Sequence, residues 1–190
     1  MELKTLLFEQ GGKQNTAATL QIVKQRAQAL GVEQVVVASS HGYTAHEAHA
    51  VLAPVGIQVI AISLCHSWES KGWPMTTEET AALEELGVTV YTGIHAIGDG
   101  VRTAFTDKYG GRATEDIVRD TFYRFSQGMK VAVECLLMAA DAGLLAMERD
   151  VIAIGGTSEG ADTAIVCWPA DPRTFHDLEI REVLAKPRYP

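Results

Sequence analysis

From Asn15 to Gly31 apolar residues recur near helical spacing, at Leu20, Ile22, Val23, Ala27 and Leu30. Asn15 or Thr16 can accept a hydrogen bond from a first-turn amide, and Gly31 ends the run, so the pattern predicts a helix between them. Val35-Val36-Val37-Ala38 follows, β-branched and too short for a helix, which predicts a buried strand. That run breaks at Ser39-Ser40-His41-Gly42-Tyr43-Thr44, and a second helical stretch begins at Thr44 and reaches Leu52. Pro54 and Gly56 turn the chain into Ile57-Gln58-Val59-Ile60-Ala61-Ile62, a second buried strand. A polar loop from Cys65 to Met75 leads to Thr76-Thr77-Glu78-Glu79, where Thr76 and Glu79 have the spacing of a capping box. The helix they start stops at Gly87, and Val88-Thr89-Val90-Tyr91 predicts a third strand.

Strands and helices alternating in this way imply a parallel sheet covered by helices on both faces. The middle of the chain is predicted helical, from Gly100 to Tyr109 and from Ala113 to Phe125. Val131 to Leu145 is mixed: its start is β-branched, but Cys135-Leu136-Leu137-Met138-Ala139-Ala140 favours helix, so most of it is expected to be helical. Val151-Ile152-Ala153-Ile154 and Thr163 to Trp168 flank a glycine turn and predict two late strands. Leu178 to Val183 adds an edge strand. With no repeat, low-complexity tract or linker, the 190 residues are expected to form one α/β domain spanning 1–190.

Charge narrows the partners. Twenty-four acidic residues against sixteen basic ones give −8, which argues against nucleic acid, whose binders need a net basic face. A small anion is not excluded, because oriented backbone amides hold one whatever the global charge. Cys65, Cys135 and Cys167 form no CxxC pair and no disulfide framework, which fits a reducing, cytoplasmic home. Met1-Glu2-Leu3-Lys4-Thr5 carries no leader pattern. The longest apolar stretch, Val51 to Cys65, contains Pro54, Gly56 and Gln58 and falls short of the ~20 residues of a spanning helix, so no membrane partner is expected. The pattern leaves the oligomeric state open, a homo-oligomer included.

Two turns carry the candidate chemistry. At Ser39 to Thr44 a buried strand ends in two hydroxyls, Gly42 permits a sharp turn, and a helix begins. First-turn amides lack intrahelical partners and sit at the positive end of the helix dipole, so a phosphate is stabilised there, with Ser39, Ser40 and Thr44 as further donors. In open parallel sheets ligands sit beyond the carboxyl ends of the strands. The alternative is that these hydroxyls only cap the helix. The second turn, Gly155-Gly156-Thr157-Ser158-Glu159-Gly160-Ala161-Asp162-Thr163, has three glycines within six residues. That density suggests positive torsions or close approach to a ligand. Thr157 and Thr163 offer donors, and Asp162 could accept from a sugar or a ring N–H.

Other patterns carry less. No Walker A sequence is present, and Gly98-Asp99-Gly100 lacks the third glycine of a dinucleotide fingerprint. His41, His46 and His49 have no carboxylate partner in sequence, so no metal is expected. Cys65-His66 has a nucleophile beside a base, but adjacent residues rarely converge on one substrate. Glu134, inside the apolar run Val131 to Met138, must be paired, protonated or facing a ligand; a structural hydrogen bond is the expected role.

Val35 to Ala45, with Pro54 and Val59-Ile60-Ala61, resembles the C-terminal domain of pyruvate kinase. There a strand, a hydroxyl-rich Gly-x-Thr-Ala turn and a helix hold a phosphate of the allosteric sugar effector. The whole chain is more similar to the stand-alone archaeal and bacterial proteins called pyruvate kinase C-terminal domain-like. The similarity runs through Asn15-Thr16, Ala38 to Ala45, His95 with Arg102, Val131-Ala132-Val133-Glu134 and Met138 to Gly143. It continues in Gly155-Gly156-Thr157, Gly160 to Ala164 and Glu179-Ile180-Arg181-Glu182. The resemblance implies a three-layer α/β/α sandwich with a mostly parallel sheet, and flavin mononucleotide (FMN) as the bound cofactor. It implies a phosphate contact at Ser39, Ser40, Gly42, Tyr43 and Thr44, and a wall from Gly155, Gly156, Thr157, Gly160 and Ala161. Pyruvate kinase activity is not implied, since its catalytic barrel needs at least ~200 further residues. One departure is Gly98-Asp99-Gly100, whose spacing after His95 differs from the family's pattern.

Three functions follow from this: an FMN binder, a flavin-dependent redox enzyme, or a sensor of another phosphorylated small molecule. A yellow protein separates the first two from the third, and turnover with a nicotinamide donor separates the second from the first. No residue pair has the spacing of a committed acid and base, so catalysis stays open.

Overall fold

The valine run builds a strand buried on both sides. Val35 and Val37 point into one core and Val36 into another, and all three are fully buried. Continuous apolar sequence is what a parallel strand covered on both faces requires. In a computed structural model describing residues 2–189, the strands are β1 (Leu6–Phe8), β2 (Gln34–Ala38), β3 (Gln58–Ser63), β4 (Thr89–Thr92), β5 (Val151–Gly155), β6 (Thr163–Trp168) and β7 (Glu179–Pro187). The helices are α1 (Thr16–Leu30), α2 (Tyr43–Leu52), α3 (Thr77–Glu85), α4 (Val101–Tyr109), α5 (Thr114–Phe122) and α6 (Gln127–Asp141). Met1 and Pro190, the ends of the expected domain, lie outside the described residues.

The strands form one seven-stranded sheet in the order β1-β7-β6-β5-β2-β3-β4. β6 runs antiparallel to both neighbours, β5 and β7; the remaining pairings are parallel. Helices cover both faces. Leu20, Val23 and Ala27 of α1, Ala45, Ala48 and Leu52 of α2, and Leu83 of α3 share one core with Val35, Val59 and Ile152. On the other face α6 packs Ala132, Val133, Leu136 and Ala139 against Val36, Ile60, Ala153 and Ile165, flanked by Val118 and Phe122 of α5.

Several elements depart from the sequence expectations. Leu178 to Val183 was expected at the edge, but β7 reaches Pro187 and lies second from the edge, covered by β1. β1 itself is three residues long, too short to show a period. The mixed segment is helical and starts earlier than its apolar run, because the Ser126 hydroxyl accepts the Met129 N–H at 2.9 Å. Thr76 and Glu79 form the expected capping box. Asn15 caps nothing: its side chain donates to the Gln10 carbonyl at 2.7 Å instead.

Cys65, Cys135 and Cys167 are free and buried, and burial pushes the Cys167 thiol up to about 12. Among the described residues no helix is long and apolar enough to cross a membrane.

Candidate functional site

β2 and β5 are neighbours in parallel register, Val35 opposite Ile152 and Val37 opposite Ile154. From β2 the chain departs through α2 toward β3, whereas from β5 it turns the other way into β6. Such a divergence opens a crevice beyond the carboxyl ends of the two strands. Both turns singled out in the sequence therefore lie side by side at the same edge.

In the first turn the Ser39 N–H donates to the Ile62 carbonyl at 3.0 Å, and the Ser39 hydroxyl accepts the Ala45 N–H at 3.2 Å. Ser39 is thus a helix cap, tied into the fold. Gly42 takes φ +84, a left-handed torsion that favours glycine, and its carbonyl accepts the first helical bond, from the His46 N–H at 2.9 Å. The amides of Tyr43 and Thr44 have no acceptor among the described residues. Thr44 is only 5% exposed; the buried side-chain atoms without a partner among the described residues lie elsewhere, at Arg102 Nε and Thr103 Oγ1. Ser40 is half-buried beside them. His41 leans away, its Nδ1 3.2 Å from Glu79 Oε2. Glu79 lies below the usual carboxylate range because it accepts the Thr76 N–H, with His41 adding to the effect against the opposing cost of burial.

In the second turn the glycines meet protein. A Cβ on Gly155 would strike the backbone of Gly128 and Ala132 in α6, and one on Gly156 would strike the Gly160 carbonyl. Gly160 has φ +71, and a Cβ there would sit 2.6 Å from the Lys13 Cα. Ala161 is fully buried; its N–H donates to the Thr16 hydroxyl at 3.0 Å and its carbonyl accepts the Thr19 hydroxyl. Asp162, also fully buried, takes the N–H groups of Gly12 at 2.8 Å and Thr157 at 2.9 Å, plus the Thr163 hydroxyl at 2.8 Å. These bonds occupy the acceptors that the sequence offered to a sugar or ring. Thr157 stays half-buried at the crevice, and Ser158 beside it has φ +65, the one non-glycine left-handed residue among those described.

The segment Gly11-Gly12-Lys13 completes this edge, and sequence reasoning missed it. Its backbone lies against the glycine turn, and the Lys13 ammonium stands 4.0 Å over the Tyr43 ring and 3.4 Å from Glu159. One cation thus spans the first residue of α2 and the tip of the second turn. The Gly-Gly doublet ahead of the first helix was the available signal.

A second polar cluster lies beyond β3 and β4. Glu134 pairs with Lys130 one helical turn away and accepts the Ile97 N–H at 2.9 Å, with His95 Nδ1 at 3.9 Å. This is the structural role expected for it. Arg102 joins the Ile97 carbonyl to Asp116, both at 2.6 Å. The Cys65 thiol donates to Asp99 at 3.1 Å, and burial holds that thiol above its ordinary range. A hollow of about 340 Å³ lies elsewhere, between α1 and β7, where Arg26 and Glu182 form a double ion pair at 2.7 and 2.5 Å. The fold defines an α/β protein with the N-terminus of α2 at the divergence of β2 and β5. No protein-family model matches the chain.

Proposed function

We propose that the protein binds a phosphorylated small molecule, FMN the foremost candidate, in the crevice beyond β2 and β5, as a cytoplasmic relative of the pyruvate kinase C-terminal domain-like proteins. The observation that carries this reading is the pair of unaccepted amides at Tyr43 and Thr44, at a helix N-terminus beyond the ends of β2 and β5. First-turn amides have no partner within their own helix, and a phosphate supplies the acceptors this helix terminus lacks. The donor set fits the group. Tyr43, Thr44 and Ser40 would hold the phosphate, Gly42 brings the turn close, and Thr157 faces the crevice. Ser39, Gly155, Gly156, Gly160 and Ala161 act behind them, shaping the two turns through protein contacts. Bound flavin would supply a redox-active ring; the chain's own part is to hold and orient it.

Each charge-assisted hydrogen bond to a phosphate contributes about 1.5–3 kcal/mol. Riboflavin has the same ring and no phosphate, so two lost bonds correspond to about 100-fold or more in affinity. FMN is therefore expected to bind at least ~100-fold more tightly than riboflavin, with Thr44→Val narrowing the gap. Fluorescence titration of both flavins against one preparation measures it. Equal affinities would remove the phosphate from this turn and leave Ser39, Ser40 and Thr44 as ordinary caps.

A further inference from the structure

We propose that two copies of this chain pair through α4, about a twofold axis that passes Phe105. None of the nine residues of α4 is buried. A helix of that length is marginal in water unless an apolar face packs on something. Arg102 ties its inner side to Asp116 and to the Ile97 carbonyl. Outward, Val101, Phe105 and Tyr109 stand four residues apart on a single face. Ile94 extends this stripe at its start, since a Cβ on Gly100 would lie 3.1 Å from the Ile94 Cγ2. At its end the Phe105 and Tyr109 rings are 6.0 Å apart. All four residues are 61–74% exposed.

Area, charge and spacing each favour a second copy. At those exposures the four residues present on the order of 500 Å² of apolar surface, a contiguous patch of the size that marks an interaction site. A standard interface buries about 800 Å² per partner, about 65% of it apolar in a homodimer, so the stripe matches the apolar part of one. Residues 94–125 carry five acidic and five basic side chains, so the net −8 of the chain lies entirely outside this segment. A second copy, repelled by acidic surface elsewhere, meets balanced charge here. The same balance gives an anionic membrane no basic surplus to hold. The stripe is also even about its centre. A twofold axis at Phe105 sets Phe105 against its own image and the smaller Val101 against the partner's Tyr109.

Sedimentation of the full chain should show a dimer that dissociates on dilution. Phe105→Glu places a carboxylate on the axis in both copies and should raise the dissociation constant at least ~100-fold. Phe105 is exposed in the single chain, so the urea midpoint of the variant, read where both proteins are monomeric, should match wild type; Tyr109→Glu takes its place if it does not. Cysteine placement tests the register. Under mild oxidation Phe105→Cys should cross-link to itself, and Val101→Cys to Tyr109→Cys but not to itself. Cys65, Cys135 and Cys167 are buried and stay out of the reaction. A wild-type chain that stays monomeric into the millimolar range overturns the proposal and leaves the stripe to another partner. So does a dimer that both glutamate variants leave intact, or a Val101→Cys chain that cross-links to itself as readily as Phe105→Cys does.

Discussion

Asp162 gathers three donors from three parts of the chain, and its two oxygens divide the work. Oδ2 accepts the amides of Gly12 and Thr157, and Oδ1 accepts the Thr163 hydroxyl. Since Thr163 spends its hydrogen on Asp162, the 2.9 Å contact between Ser126 and Thr163 is donated by Ser126. The chain of hydroxyls can also run the other way. In Asp162→Asn the amide nitrogen donates to Thr163, Thr163 donates to Ser126, and the remaining oxygen keeps both amides, so one hydrogen, that of buried Ser126, loses its acceptor. Asp162→Ala instead strands two amides and a hydroxyl, each costing about 1–3 kcal/mol when buried. Denaturant midpoints should therefore show Asp162→Ala at least ~3 kcal/mol less stable than wild type and Asp162→Asn about 1–3 kcal/mol less stable. An asparagine variant as damaged as the alanine one would mean that the negative charge, and not the bonding pattern, holds the turn. This also explains which half of the site could be read from sequence. Ser39 and Ala45 are six residues apart, so the first turn is a local motif. Gly12 and Asp162 are 150 residues apart, and no window of sequence contains both.

α6 comes unusually close to the sheet. Its second residue, Gly128, lies directly on β6, where a Cβ would come within 2.7 Å of the Thr163 Cβ and 2.8 Å of Asp162 Oδ1; Gly155 of β5 opens a matching space beneath the Gly128 carbonyl. The paired glycines set the depth of the helix, and through it the position of Lys130 and Glu134. Gly128→Ala should lift the start of α6 and cost about 2 kcal/mol, the usual scale of overpacking, although alanine is the better helix former. Urea titration measures it, and an unchanged or raised midpoint would show that the close approach is slack. At this scale the chain was largely readable. β2, β3 and β4 are apolar runs bounded by glycine, proline or hydroxyl residues, and α3 carries its own capping box. α6 was ambiguous because twelve of its fifteen residues are buried, including Lys130 and Glu134, so no polar face marks a helical period. β1 was invisible because three residues show no period at all, and its existence depends on a partner at the far end of the sequence.

Across the whole molecule, that partnership sets an order of events. β1 has one neighbour, β7, with Leu6 opposite Ala185 and Phe8 opposite Pro187, and it leads directly into Gly11-Gly12-Lys13. Closing a loop of this length costs entropy before its contacts form, whereas the Ser39 cap closes within six residues. During refolding the Ala45 amide should accordingly gain protection from hydrogen exchange in an early phase, and the Gly12 amide only in the last. Pulse labelling resolves the two, and simultaneous protection would mean that the crevice forms in one step. During synthesis the interval is longer, because the turn at Ser39 to Thr44 leaves the ribosome well before residues 179–187 exist. For that interval the nascent chain carries the Ser39 to Thr44 turn while Lys13, which comes to lie over the Tyr43 ring, has no strand to stand on.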